Sequence, residues 1–105
     1  MQKSNILSNI PTNLNQEIFQ DIISNDNIKI ERIISKGHKS KEDEWYNQEK
    51  DEWVMVIKGN ATLTFEDAED VDLGEGDYIN IPAHMKHRVS WTDAKVETIW
   101  LAIHY

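Results

Sequence analysis

From Ile28 to Tyr105 the apolar side chains come in short runs, each cut by a glycine, a proline or a polar turn. Such punctuation leaves no room for long helices and favours many short strands, which close into a sandwich or a barrel. Ile28, Ile30 and Ile33 open the first run, which stops near Ser35-Lys36-Gly37. Trp53 to Lys58 is nearly continuous in apolar residues, as in a strand covered on both faces. Gly59-Asn60 then turns the chain into Ala61-Thr62-Leu63-Thr64-Phe65, whose alternation marks a half-buried strand. Val71 to Leu73 precedes a turn at Gly74–Gly76, and Tyr78 to Ile81 ends at Pro82. His87 to Trp91 alternates with Arg88 and Ser90 outward, and Thr98 to Tyr105 forms the final strand.

Ahead of this β region the pattern changes. Leu14, Ile18 and Ile22, with Phe19 and Ile23 beside them, recur at helical spacing. Asn13 is placed as an N-cap with Gln16 as its reciprocal partner, and Asn25-Asp26-Asn27 supplies a terminating turn. The spacing predicts a short amphipathic helix lying on the sheet. Residues 1–27 are thus expected to form an N-terminal extension, and residues 28–105 the barrel domain.

Composition narrows the functional classes. The 105 residues suit one domain, and they include no cysteine, which excludes disulfides and thiolate metal sites. A formal net charge of −8 repels nucleic acid, and no basic patch offsets it. Lys36, Lys39 and Lys41 are followed at once by Glu42, Asp43 and Glu44. No apolar run is long enough to span a membrane, and the N-terminus lacks a secretory core, so a cytoplasmic protein with no membrane partner is expected.

Two segments carry the chemistry. Gln48-Glu49-Lys50-Asp51-Glu52 leads into the first strand of the pair, and Gly76 to His87 leads into the second. Side-chain parity puts Glu52, Val54 and Val56 on one face, and His87, Val89 and Trp91 on another. If the strands close into a barrel, Glu52 and His87 can both face its lumen, where each would be costly unless it binds something or its partner.

These segments resemble the two motifs of the cupin superfamily, in particular its small single-domain bacterial members with a conserved cupin 2-type barrel. In the family's first motif two histidines one residue apart precede a glutamate and then a glycine. Glu52 and Gly59 hold the last two places, whereas Tyr46 and Gln48 stand where the histidines would be. The alternative spacing puts Trp45 and Asn47 there. In the second motif Gly76, Pro82 and His87 fall in register, His84 replaces a glycine and Trp91 an asparagine. The resemblance implies an all-β fold, a cupin-type antiparallel jelly-roll barrel, and a lumen site.

What that site does is left open between readings. One is a divalent transition metal, Mn, Fe, Ni or Zn, held by Gln48, Glu52 and His87 with Tyr46 close by. The other is a metal-free pocket in which the same groups hydrogen-bond one another and receive a small-molecule ligand. Tyr46, Gln48, Glu52, His84, His87 and Trp91 are the expected ligand-binding residues, with His84 at the mouth. For catalysis the candidates are Glu52, His87 and Tyr46, which suit general acid–base chemistry. A ligand-binding or sensing module, a metal-dependent dioxygenase or a sugar or small-molecule isomerase all fit. Ile99, Leu101 and Ile103 on one face of the last strand, against Trp100 and Ala102 on the other, exceed what one lumen buries and predict a homodimer.

Overall fold

The computed structural model describes all residues, 1–105. Eight strands follow one another: β1 (Ile18–Ser24), β2 (Lys29–Ser35), β3 (Glu52–Lys58), β4 (Ala61–Phe65), β5 (Val71–Leu73), β6 (Tyr78–Ile81), β7 (His87–Thr92) and β8 (Thr98–His104). They form a five-stranded sheet in the order β1-β2-β8-β3-β6 and a three-stranded sheet in the order β5-β4-β7. Every pairing is antiparallel. The inward alternation read from the sequence meets across these sheets. Val54, Val56, Ile81, Trp100 and Ala102 from the larger pack against Ala61, Leu63, Phe65 and Leu73 from the smaller. The all-β, antiparallel architecture is as expected.

The N-terminal helix is not. There is no helix anywhere in the chain, hence none long and apolar enough to cross a membrane. Ile18–Ser24 is instead an edge strand paired with β2, from Ile18 opposite Ile34 to Ser24 opposite Lys29, with a bulge between Asp21 and Ile23. The reason lies in the spacing itself. Positions 14, 18 and 22 are four apart, and four is a multiple of the strand period as well as roughly one helical turn. Isoleucine and phenylalanine then favour the extended form, and the unpaired edge of β2 supplies hydrogen bonds that a short isolated helix could not match. Asn13 caps nothing helical; its side chain accepts from the Asn15 amide in a local turn. The Asn25 side chain accepts from the amides of Asn27 and Ile28, folding the expected turn into a β-hairpin rather than a helix end.

Two further features fix the site. Arg32, on the outer face of β2, donates to the carbonyls of Ile6, Ser8 and Asn9 and to Gln20, strapping the N-terminal segment to the sheet. On the other side of the barrel, Tyr46 and His87 exchange backbone hydrogen bonds of 2.7 and 3.2 Å, which dock the long β2–β3 loop along β7.

Candidate functional site

The space between the sheets opens into a cavity of about 130 Å³ at the end of the barrel where β3 begins. Its wall is apolar, with Phe19, Ile33, Val54, Leu63, Ile81, Val89 and Trp100. Val56, Ala61 and Leu73 belong to the core but not to this lining, so they close the barrel beyond its floor.

Polar groups enter from five directions and form one connected run. Glu52, the first residue of β3, and His87, the first of β7, are both buried, and His87 Nε2 lies 3.5 Å from Glu52 Oε1. Gln48 Nε2 donates to the same oxygen at 3.1 Å. Gln48 Oε1 is 3.1 Å from His104 Nδ1, and His104 Nε2 is 2.9 Å from Glu31 Oε1. Lys29 reaches Glu31 Oε2 at 3.4 Å from outside the cavity. The sequence thus brings together Tyr46, Gln48, Glu52 and His87, as parity requires. Tyr46 lies over the imidazole with ring centroids 5.5 Å apart.

The surroundings of both histidines raise their pKa values. Each nitrogen of His104 faces an oxygen acceptor, and the bond to Glu31 raises its pKa against the opposing effect of burial. The same contact lowers the pKa of Glu31 more than burial raises it. For His87, burial acts first and downward. The Glu52 carboxylate and the Met85 carbonyl, 2.9 Å from Nδ1, outweigh it, and the pKa is raised. Tyr46 is pushed upward by burial and then by the nearby charge of Glu17, so its hydroxyl keeps its proton.

Two expected ligand residues lie elsewhere. Trp91 is exposed, beside Asn60, Thr62 and Asp72 on the outside of the small sheet. The register shifts between Thr62 and Leu63, which face Trp91 and Val89, so Ser90 bulges and every later side chain of β7 changes face. Thr92 is buried in place of Trp91. His84 is exposed and lies outside the cavity lining, with a positive φ of 65°. Its Nδ1 is 3.0 Å from Asn47 Oδ1 and its amide donates to the Gln48 carbonyl, so it steadies the segment that carries Gln48.

Three lining residues escaped the sequence reading: Glu17, Glu31 and His104. A glutamate amid the isoleucines of Ile28–Ile34 was the available signal for Glu31, being at inward parity with Ile33. His104 follows by the same count from Trp100 and Ala102, but pairing β8 with β2 was needed to set it beside Glu31.

The donor set does not fit the expected metal as it stands. No three His, Asp or Glu side chains converge at metal-ligand spacing. Gln48 turns its amide nitrogen, not its oxygen, toward Glu52, and its oxygen is occupied by His104. A first-row ion on Gln48, Glu52 and His87 requires that amide to turn over and His104 to lose its acceptor.

Comparison with known proteins agrees with this architecture. The family model described as Cupin domain matches residues 32–104. No curated protein matches significantly. Among solved structures, one from Ralstonia eutropha JMP134 named as a "putative mannose-6-phosphate isomerase" is 41% identical, with a TM-score of 0.93 over 99% of this chain and 97% of its own. A cupin superfamily protein from Desulfitobacterium hafniense DCB-2 is 22% identical, with a TM-score of 0.75 over 90% of this chain and 82% of its own. An RmlC-like cupin family protein with a double-stranded β-helix fold, from Methanocaldococcus jannaschii, is 17% identical, with a TM-score of 0.71 over 91% of this chain and 85% of its own. The last two speak to the fold alone.

Proposed function

This chain belongs to the cupin domain family, and we propose that it holds a small molecule in the barrel lumen, at the Glu52–His87 pair. The observation that carries this reading is the convergence of Glu31, Gln48, Glu52, His87 and His104 in one hydrogen-bonded run above an apolar floor. A purely structural barrel gains little from such groups, because buried charges are costly unless their partners are complete. Small-ligand sites have this composition: a mostly apolar cup with a few convergent polar groups. No metal is needed for it.

The test is a thermal-shift screen of metabolites against the parent protein and Glu52→Gln. Ligands that stabilise the parent are expected to lose their effect in the variant, whose own melting temperature stays close to the parent's. A large fall in melting temperature with no ligand response in either protein defeats the reading and leaves a structural pair. Elemental analysis of protein purified without chelator checks the metal: stoichiometric Mn, Fe, Ni or Zn, lost in Glu52→Gln, would replace this reading with a metal cupin.

A second reading is isomerisation, favoured by the 41% identical relative and its name and by the acid–base pair. Glu52 would remove the proton from the carbon next to a carbonyl while the His87 imidazolium protonates the carbonyl oxygen. The enediol so formed would take the Glu52 proton on the former carbonyl carbon while its other hydroxyl gives a proton to His87 as the new carbonyl forms, restoring both groups. Incubating the protein with mannose 6-phosphate in deuterated water and following C2 deuteration by NMR decides it; no exchange above the buffer rate removes this reading.

A further inference from the structure

The balance of free donors and acceptors in the lumen points to the class of ligand, on the premise that the lumen is a ligand site. Three carboxylates line it, Glu17, Glu31 and Glu52, against two histidines and no lysine or arginine. Glu31 is satisfied at both oxygens, by His104 and Lys29. Glu52 is not: Gln48 and His87 share Oε1, and no protein donor reaches Oε2, although the residue is only 8% exposed. Glu17 receives the Ser35 hydroxyl on Oε2 and has no donor at Oε1.

Donors are nearly exhausted by comparison. Both nitrogens of His104 face Gln48 and Glu31, and both nitrogens of His87 face Met85 and Glu52. One of the two Gln48 amide N–H groups is committed to Glu52. The second Gln48 N–H and the Tyr46 hydroxyl, beside Ser40, are what remain. An anion entering this space would meet three carboxylates and almost no free N–H or O–H. A cation with N–H groups would meet open carboxylate oxygens, one of them on the largely buried Glu52, where a charge-assisted hydrogen bond is strong.

We infer that the lumen selects a small organic cation, a primary or secondary ammonium on a short apolar body. Its N–H groups donate to the free oxygens of Glu52 and Glu17, and its body lies against Phe19, Val54 and Leu63. A phosphorylated sugar is the opposite of this ligand in charge and in hydrogen-bonding sense.

The experiment compares three probes with the same carbon body: butylammonium, 1-butanol and butyrate, in amine-free phosphate buffer. Calorimetry gives affinity, and amide chemical shifts on labelled protein show whether β3 and β7 are the elements perturbed. Butylammonium is expected to shift those amides and to bind at least about tenfold more tightly than butanol, with butyrate unbound. Glu17→Gln and Glu52→Gln are each expected to weaken it about tenfold while keeping a dispersed amide spectrum. Glu17 is half-exposed, so its variant keeps the comparison valid if Glu52→Gln folds poorly. Butanol or butyrate binding in the lumen as well as the amine overturns the charge preference and leaves the ligand-site reading standing. No lumen shift with any probe overturns the preference too, and together with an empty metabolite screen it removes the ligand site.

Discussion

Glu31 and His104 form the most tightly determined contact of the site, 2.9 Å between buried or half-buried groups, and their titration gives a signed prediction. His104 has a folded pKa above its ordinary 6.5, so its contribution to stability is complete below that value and is lost as pH rises through the folded one. Glu31 has a folded pKa below its ordinary 4.5, so its contribution is present above that value and is lost as pH falls through the folded one. Both act together between 4.5 and 6.5. Urea denaturation across pH should therefore show parent stability falling as pH rises above 6.5, with a flatter profile in His104→Gln. An equal slope in the two proteins would mean the pair carries no linkage. Glu31→Gln should also bring the His104 pKa down, read from its ring proton shifts; an unmoved titration would assign the raised value to another neighbour.

Two turns and the bulge at Ser90 help set how the strands meet, and they differ in how visible they are in the sequence. Gly59 has a φ of 91°, and a Cβ there would lie 2.6 Å from Thr98 Oγ1 and 2.8 Å from the Glu97 carbonyl. Gly59→Ala is expected to cost about 3 kcal/mol, combining left-handed backbone strain with a clash against β8; a loss under about 1 kcal/mol in chemical denaturation would contradict the close approach. That corner is legible, since a glycine between a continuous apolar run and an alternating one has few other uses. Asn25→Ala removes the acceptor for two hairpin amides and should cost about 1 kcal/mol by the same measurement, whereas an unchanged midpoint would show the turn forms without it. The turn was visible in Asn25-Asp26-Asn27, but not that it joins two strands, because a spacing of four serves helix and strand alike. The bulge at Ser90 left no mark at all. Residues 87–91 read as plain alternation, which puts Trp91 in the lumen, whereas the pairing with β4 turns it outward. Glu52 and His87 were placed correctly because each begins its strand, before any irregularity can accumulate.

The larger sheet has an outer face still short of cover. Trp53, Met55 and Ile57 of β3 and Leu101 and Ile103 of β8 alternate with the lumen residues and are only partly buried, and Tyr78 beside them is exposed. This face supports the homodimer proposed from the sequence, a second copy seated on the first through the five-stranded sheet. Sedimentation equilibrium at micromolar protein should give twice the chain mass of 12.3 kDa, and Leu101→Glu should return it to the monomer. A monomeric parent would remove the proposal. Within one copy, the strand order has a consequence for synthesis. β2 and β3 are consecutive in the chain, yet β8 lies between them and supplies every hydrogen bond that links the two halves of their sheet. During translation the β1–β2 hairpin and the β3–β6 pair must wait, each with a bare edge, until residues 98–104 leave the ribosome. A chaperone that shields exposed strand edges would find its substrate in that interval, and a stalled ribosome would release a chain primed to aggregate.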